Sequence, residues 1–379
     1  MARGSSEYSK SVRGLNADGL VSFFPKNIVM TIKKPRILYV PCDQEVHDDQ
    51  AWKTVYENFE IVVYDFDTIE DYMNELKKPD HGKIGFIDAV FRPTWLKGSP
   101  YLEHYILRGE PVRLLPKSVK LCVQSGHGYD IVDIDYLSSR NIIFCNSPDC
   151  CSRATADVGT LLVLNSFRYA SFAENCVRTR NYYASMDFST LADDPEGHTL
   201  GIIGLGDIGK LVAKSCQSFG MKTIYHNRTQ RRELEAEFPE DSMVFYPDFD
   251  EFLAHTDCIL VMCPYTEKTK HMISFDTFKR MKIQVRIVNI ARGPIVQEEA
   301  IIDALERGQL VGGGFDVHEF EPKIHEKLLS DWRITLLPHW GAVSRASWKK
   351  FERNCVQNMM DYFYGDGKPK TAVNKQLFE

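Results

Sequence analysis

From Pro35 onward the chain alternates short runs of branched and aromatic residues with longer polar or amphipathic stretches. Ile37–Val40, Ile61–Tyr64, Ile84–Ile87, Leu121–Val123 and Ile142–Cys145 are apolar throughout and bounded by turn residues. That pattern predicts buried strands, and the segments between them have the length of crossover helices, which is the signature of a parallel sheet. Residues 152–169 predict a long apolar helix with Ser152 as its N-cap. After the loop around Asp193–Gly197 a second series begins, with strands expected at Leu200–Ile203, Thr223–Tyr225, Cys258–Cys263, Ile287–Ile290, Gly312–Phe315 and Ile334–Leu337. A last helix is expected from about Ser344 to Tyr364. There is no short-period repeat; the reading is two α/β units in tandem.

Composition narrows the class. A chain of 379 residues holds two ordinary domains at roughly 100–200 residues each. Its 46 Lys+Arg against 52 Asp+Glu give a net charge of −6, which does not suggest binding to nucleic acid or to an anionic membrane surface. No apolar run approaches the roughly 18 residues of a membrane span. The ten cysteines show no C-x-x-C pair, so reduced, buried thiols explain them better than a disulfide frame or a zinc site. No metal constellation is present. Residues 1–34 are expected to be a flexible extension. They lack the apolar core of a secretory signal, and Glu7 and Asp18 interrupt the basic residues that a mitochondrial presequence would use. A cytoplasmic location follows.

The first chemical signal is Gly204-Leu-Gly206-Asp-Ile-Gly209, which directly follows an apolar strand and opens the amphipathic run Ile208–Phe219. The first glycine permits a tight turn and the second lets backbone amides reach a pyrophosphate. The third brings helix against strand, with the helix dipole facing the phosphates. Dinucleotide binding is the reading. An NAD site would place a carboxylate at the end of the next strand; here Tyr225-His-Asn227-Arg228-Thr229 offers none before Glu233. Arg228 can stack on adenine and pair with a 2′-phosphate, and Thr229 can donate to it, which favours NADP(H), with NAD(H) as the alternative.

The second signal comes in three pieces at successive strand ends. Arg292 lies in Ile290-Ala-Arg-Gly-Pro294, Asp316 and Glu321 in Gly314-Phe-Asp-Val-His-Glu-Phe-Glu-Pro322, and His339 in Leu336-Leu-Pro-His-Trp-Gly341. A guanidinium suits a 2-oxo carboxylate. A histidine beside a carboxylate favours its charged form and makes a general acid for a ketone accepting hydride.

These motifs, in this order and spacing, resemble the D-isomer-specific 2-hydroxyacid dehydrogenases over roughly residues 80–365. Gln124-Ser-Gly-His-Gly128-Tyr-Asp130-Ile-Val-Asp133 is similar to the family's substrate loop, and Asn146-Ser-Pro148 with Ala154-Thr-Ala-Asp157 to the segment entering the inter-domain helix. Tyr225–Arg228 and Glu321–His325 resemble the fungal-type glyoxylate/hydroxypyruvate reductase branch. The resemblance implies two Rossmann-like or flavodoxin-like domains with the active site in the cleft between them. Residues 35–150 plus 345–379 would form the substrate domain, and 151–344 the inserted nucleotide domain.

Carried over by position, Arg292 binds the substrate, His339 is the acid/base, Glu321 partners it, and the amides of His127 and Gly128 hold the carboxylate. Gly204, Gly206, Asp207, Ile208, Gly209, Asn227, Arg228, Thr229, Cys263, Pro264, Ile290, Arg292, Asp316, His339 and Gly341 would contact the cofactor, with Asp316 at the nicotinamide carboxamide and Cys263-Pro264 flanking the adenosine ribose. A homodimer formed through the helix at 152–169 and the loop through Arg180–Tyr183 is also implied. The implied activity is NADPH-linked reduction of glyoxylate or hydroxypyruvate. The rivals are an NAD-linked dehydrogenase of a bulkier D-2-hydroxy acid and a dinucleotide-sensing protein like the C-terminal binding protein corepressors. His127 and Trp340 depart from the family pattern, in the substrate loop and directly after the acid/base.

Overall fold

The computed structural model describes residues 33–41, 47–93 and 105–378. The expected extension therefore lies outside the described residues except for Lys33 and Lys34. Five strands form one parallel sheet: β1 Arg36–Tyr39, β2 Glu60–Val63, β3 Ala89–Arg92, β4 Leu121–Gln124 and β5 Ile143–Cys145, in the order β2-β1-β3-β4-β5. Seven form the other: β6 Thr199–Ile203, β7 Lys222–His226, β8 Met243–Phe245, β9 Cys258–Val261, β10 Val285–Asn289, β11 Leu310–Phe315 and β12 Ile334–Leu336. Their order is β12-β11-β10-β9-β6-β7-β8, again parallel throughout.

The inner strands of each sheet are buried on both faces, which is why they read as unbroken apolar runs rather than alternating ones. One core around Leu38, Val90, Cys122 and Phe144 covers one face of the small sheet. Ile37, Phe91 and Val123 on the other face meet Cys355, Val356 and Met359 of the last helix, Arg345–Tyr364. The C-terminal helix thus returns to the first sheet. Its Glu352 carboxylate, buried, accepts the amides of His47 (3.1 Å) and Asp48 (2.7 Å). The helix Ser152–Arg168 lies instead on the large sheet. Glycines in β11 make room for it: a Cβ on Gly314 would stand 2.7 Å from Leu162 Cβ, and one on Gly312 only 2.3 Å from the Ser166 carbonyl oxygen.

Three expectations are corrected here. The third strand is Ala89–Arg92 rather than 84–87. Ile84 and Ile87 are buried, but Gly85 turns the chain through a left-handed φ of 65° and Phe86 is 58% exposed, so the apolar run is a turn feeding the strand. The edge strand β8 was not anticipated, because three residues with Val244 half exposed carry too little apolar signal. Ser152 is not an N-cap. Cys151 occupies that position without a side-chain bond, and the Ser152 hydroxyl is buried with no hydrogen-bond partner. Among the described residues no helix is long and apolar enough to cross a membrane.

Candidate active site

In the large sheet the strand order reverses between β6 and β9, which opens a crevice at their C-terminal ends, the usual ligand position in an open α/β sheet. Gly204 turns there with φ 100°, and its backbone rests on the segment after β9: a Cβ on it would stand 2.6 Å from the Cys263 amide nitrogen. Only glycine fits. Gly206 differs, since a Cβ there would meet nothing within 4 Å. Its open side faces outward at the N-cap of the helix Asp207–Gln217, whose first amides have no side-chain cap. Uncapped amides, a positive dipole end and an open approach fit a pyrophosphate.

At the end of β7, Arg228 and Thr229 are exposed and make no hydrogen bond among the described residues. The turn that presents them is braced by Tyr225, whose hydroxyl donates to Glu235 (2.6 Å) and accepts from the Arg231 amide (2.8 Å). Cys263, just after β9, stands against the glycine loop, and Pro264 follows it. Burial pushes the Cys263 thiol up to about 11, so it is an uncharged wall rather than a nucleophile.

Along the same edge lies an open cleft of about 590 Å³, lined by Asp130, Arg292, His318, Glu319, Phe320, Glu321, Lys323 and His339 among others. Arg292, three residues past β10, donates from Nε to Asp130 (2.9 Å) and from Nη1 to the Ala291 carbonyl (2.8 Å). Its Nη2 lies against Gly128, where a Cβ would be only 1.6 Å away. The amides of His127 and Gly128 carry no hydrogen bond to the described protein. His339 Nδ1 is 3.2 Å from Glu321 Oε2, while Glu321 Oε1 accepts the His318 amide at 3.0 Å. His318 closes the ring, since its Nε2 lies 2.9 Å from the Leu337 carbonyl just ahead of His339. A cation and a histidine–carboxylate pair therefore share one cleft, and the cation lies against the loop that carries the unbonded amides. This set suits a carboxylate-bearing substrate whose neighbouring carbonyl gains a proton.

Residues 160–341 match the family model described as D-isomer specific 2-hydroxyacid dehydrogenase, NAD binding domain. The chain is 34% identical to glyoxylate reductase 1 of Saccharomyces cerevisiae over 346 residues, covering 90% of this chain and 95% of that protein. The chain belongs to the D-isomer specific 2-hydroxyacid dehydrogenase family. Among solved structures it is similar to the holo form of D-mandelate dehydrogenase from Rhodotorula graminis, with 30% identity, TM-score 0.83, and 91% and 99% of the two chains covered. It is also similar to an NADPH-dependent glyoxylate/hydroxypyruvate reductase from Sinorhizobium meliloti in complex with NADP and malonate, with 26% identity, TM-score 0.74, and 92% and 99% covered. The dehydrogenase is thus an oxidoreductase that uses a nicotinamide dinucleotide and acts on a 2-oxo or 2-hydroxy acid. Each of these relatives is an enzyme, and the sensor reading falls behind.

Several residues that the resemblance places at the cofactor also bond or pack within the dehydrogenase itself. Asp316 is 1% exposed, and both its carboxylate oxygens are engaged internally, Oδ1 by the Trp340 amide and Oδ2 by the Gly341 amide at 2.8 Å. Its carbonyl accepts the His339 amide at 2.6 Å. Asp316 therefore builds the turn that holds His339 at a left-handed φ of 56°, a backbone state that persists only where neighbours enforce it. Asn227 bridges the glycine loop, accepting from the Leu205 amide (2.7 Å) and donating to its carbonyl (3.1 Å). Ile290 packs in the core under the helix Ser152–Arg168, where Gly159 gives it room. Asp207 is exposed beside Lys210, and the Ile208 side chain packs toward the core. The His127 side chain is exposed and does not line the cleft. Asp130, the ion-pair partner of Arg292, was quoted in a motif without being assigned; only the fold reveals what it faces.

Proposed function

We propose that this dehydrogenase reduces a small 2-oxo acid, glyoxylate or hydroxypyruvate foremost, with NADPH as the coenzyme. The observation that carries the reading is the cleft holding Arg292 and the Glu321–His339 pair, with the loop of His127 and Gly128, whose two amides are unbonded, against the Arg292 guanidinium. In this reading the substrate carboxylate lies between the Arg292 guanidinium and those two amides. When bound, the coenzyme would supply the hydride that the carbonyl carbon accepts. His339 uses Nδ1 for Glu321 and gives the proton on Nε2 to the carbonyl oxygen, so carbonyl, hydride and proton end as an alcohol. Glu321 fixes the ring orientation and faces the imidazolium with a negative charge. Residues 35–150 plus 345–379 act as the substrate domain and 151–344 as the nucleotide domain.

Preference for the phosphorylated coenzyme is supported by the exposed Arg228–Thr229 pair and by the lack of a carboxylate at the end of β7. Exposed Leu161, Val177, Tyr182, Tyr183, Met186 and Leu191 on the helix Ser152–Arg168 and the segment after it support a homodimer through that surface. The nine cysteines among the described residues are all free thiols, which suits the cytoplasm.

The test is coenzyme oxidation with glyoxylate, hydroxypyruvate, pyruvate and bulkier 2-oxo acids, using NADPH and then NADH. Turnover of the two- and three-carbon acids with NADPH preferred is expected. Arg228→Ala should raise KM for NADPH by about 10- to 100-fold, the equivalent of roughly 1.5–3 kcal/mol for a charged hydrogen bond, and leave KM for NADH alone. Equal use of both coenzymes by the unaltered enzyme would sink the NADPH assignment.

A further inference from the structure

The loop carrying Arg292 and the loop carrying Glu321 come from different strands, β10 and β11, and a third segment joins them. Gly293 lies flat on the second loop, where a Cβ would stand 1.9 Å from the His318 carbonyl oxygen. Beyond it two glutamates clasp each other's backbone. Glu298 accepts the Glu319 amide through Oε1 (3.0 Å), and Glu319 accepts the Glu298 amide through Oε2 (2.9 Å). That amide is the first of the helix Glu298–Glu306, whose own N-cap, Gln297, supplies no side-chain bond. The other oxygen of Glu319 takes His271 Nε2 at 2.6 Å. His271 is itself fixed to the first loop: its amide donates to the Pro294 carbonyl (2.9 Å), and the Ile273 amide to the Ile295 carbonyl (3.1 Å).

We propose that Glu298 and Glu319, backed by His271, are positioning residues that lock the Arg292 loop to the Glu321 loop. Glu298 is 7% exposed and the Glu319 side chain 10%, so these charge-assisted bonds are shielded from solvent and salt. The cation and the His339–Glu321 pair, by contrast, project into an open cleft with 30% of the Arg292 and 27% of the Glu321 side chain exposed. Their relative placement has to be set by the backbone beneath them. A cap on the helix alone would need one carboxylate. The reciprocal second bond and the histidine instead tie three separate segments. Glu298 Oε2 is buried with no hydrogen-bond partner, so the group is kept in place at a desolvation cost. Releasing the lock lets Arg292 drift relative to His339, and a misplacement of about 1 Å can lower turnover about 100-fold.

The effect on turnover rests on the proposed function, whereas the lock itself does not, and the full-length protein tests both. Glu319→Ala should speed amide hydrogen exchange in 293–297 and in 318–321 together. It should lower kcat/KM for the 2-oxo acid by about 10- to 100-fold and leave coenzyme affinity, read by fluorescence, unchanged. Glu319→Gln, which keeps an acceptor for the Glu298 amide, should recover most of that turnover. Should Glu319→Ala fail to fold, His271→Asn carries the test with a smaller loss of the same sign. Faster exchange confined to one loop, a Gln variant no better than Ala, or coenzyme affinity falling in step with kcat/KM would each overturn the lock. Exchange rising in both loops, with no 2-oxo acid turned over by the unaltered enzyme, would uphold the lock and sink the functional reading.

Discussion

The two ends of the seven-stranded sheet carry the same residue types and use them differently. At the N-terminal strand ends, Asp257 accepts the Thr199 amide (2.8 Å) and Lys282 (2.7 Å), with His198 close by. Arg286 is buried over the Phe167 ring and donates to the Ser166 carbonyl. A hollow of about 490 Å³ lies nearby, and there the Gln217 amide bonds Thr223 and the Ser242 carbonyl. At the C-terminal ends, a carboxylate, a histidine and an arginine face an open cleft beside amides that nothing in the described protein uses. The polarity of the fold explains the contrast. In a parallel α/β sheet helices begin at the C-terminal strand ends, so their unpaired amides and positive dipole ends gather there. Charged residues alone do not make a site; unbonded groups around open space do.

The largest expected break in this comparison is His339→Asn, which should lower reduction by about 10²–10⁴, the range for loss of a general acid, with thermal unfolding unchanged. Turnover near that of the unaltered enzyme would remove His339 from the chemistry. Next comes Asp316→Asn. Its amide group would oppose one of the Trp340 and Gly341 amides, freeing the left-handed His339 turn. A fall in kcat of about 10- to 100-fold, without a matching loss of coenzyme affinity, is the expected kinetic outcome.

The smallest effect on activity belongs to the other end. Asp257→Asn should leave kcat and KM alone and cost about 1–3 kcal/mol of stability in urea titrations. Burial pushes the Asp257 carboxyl up, but the Lys282 ammonium and the Thr199 amide outweigh it and hold the group below the usual carboxylate range. A depressed folded value means the stabilisation is present above the unfolded value of about 3.9 and is lost as pH falls through the folded one. The gap between the two proteins should therefore close in acid; a gap that persists at low pH would assign the cost to packing instead.

How much could be read beforehand depended on the kind of signal. The glycine loop was legible because its three glycines answer to local needs: a left-handed turn at Gly204, an open approach at Gly206 and close packing at Gly209. Arg292, Glu321 and His339 were legible because each follows a strand by a few residues, and strand ends in this architecture converge. The turn at Ile84–Ile87 was misread because buried apolar residues look alike in a strand and in a turn, and only the backbone at Gly85 separates them. Asn227 and Asp316 stood at cofactor positions in sequence terms, yet their side chains bond the protein's own backbone. A motif gives a position along the chain, whereas the direction of a side chain depends on neighbours brought in from elsewhere.

The sequence by itself determined the local rules: strand and helix periods, the glycine-rich turn after β6, and a 2-oxo acid chemistry written in three strand-end motifs. These depend on residues close in the chain, whose preferences act before any long-range contact forms. Only the tertiary structure decided what those residues face. It paired Arg292 with Asp130 across 162 positions and tied Glu319 to both Glu298 and His271. It also used Asp316 to hold His339. Such contacts follow from the order in which strands are laid side by side, and strand order is set by the packing of both faces of each sheet together.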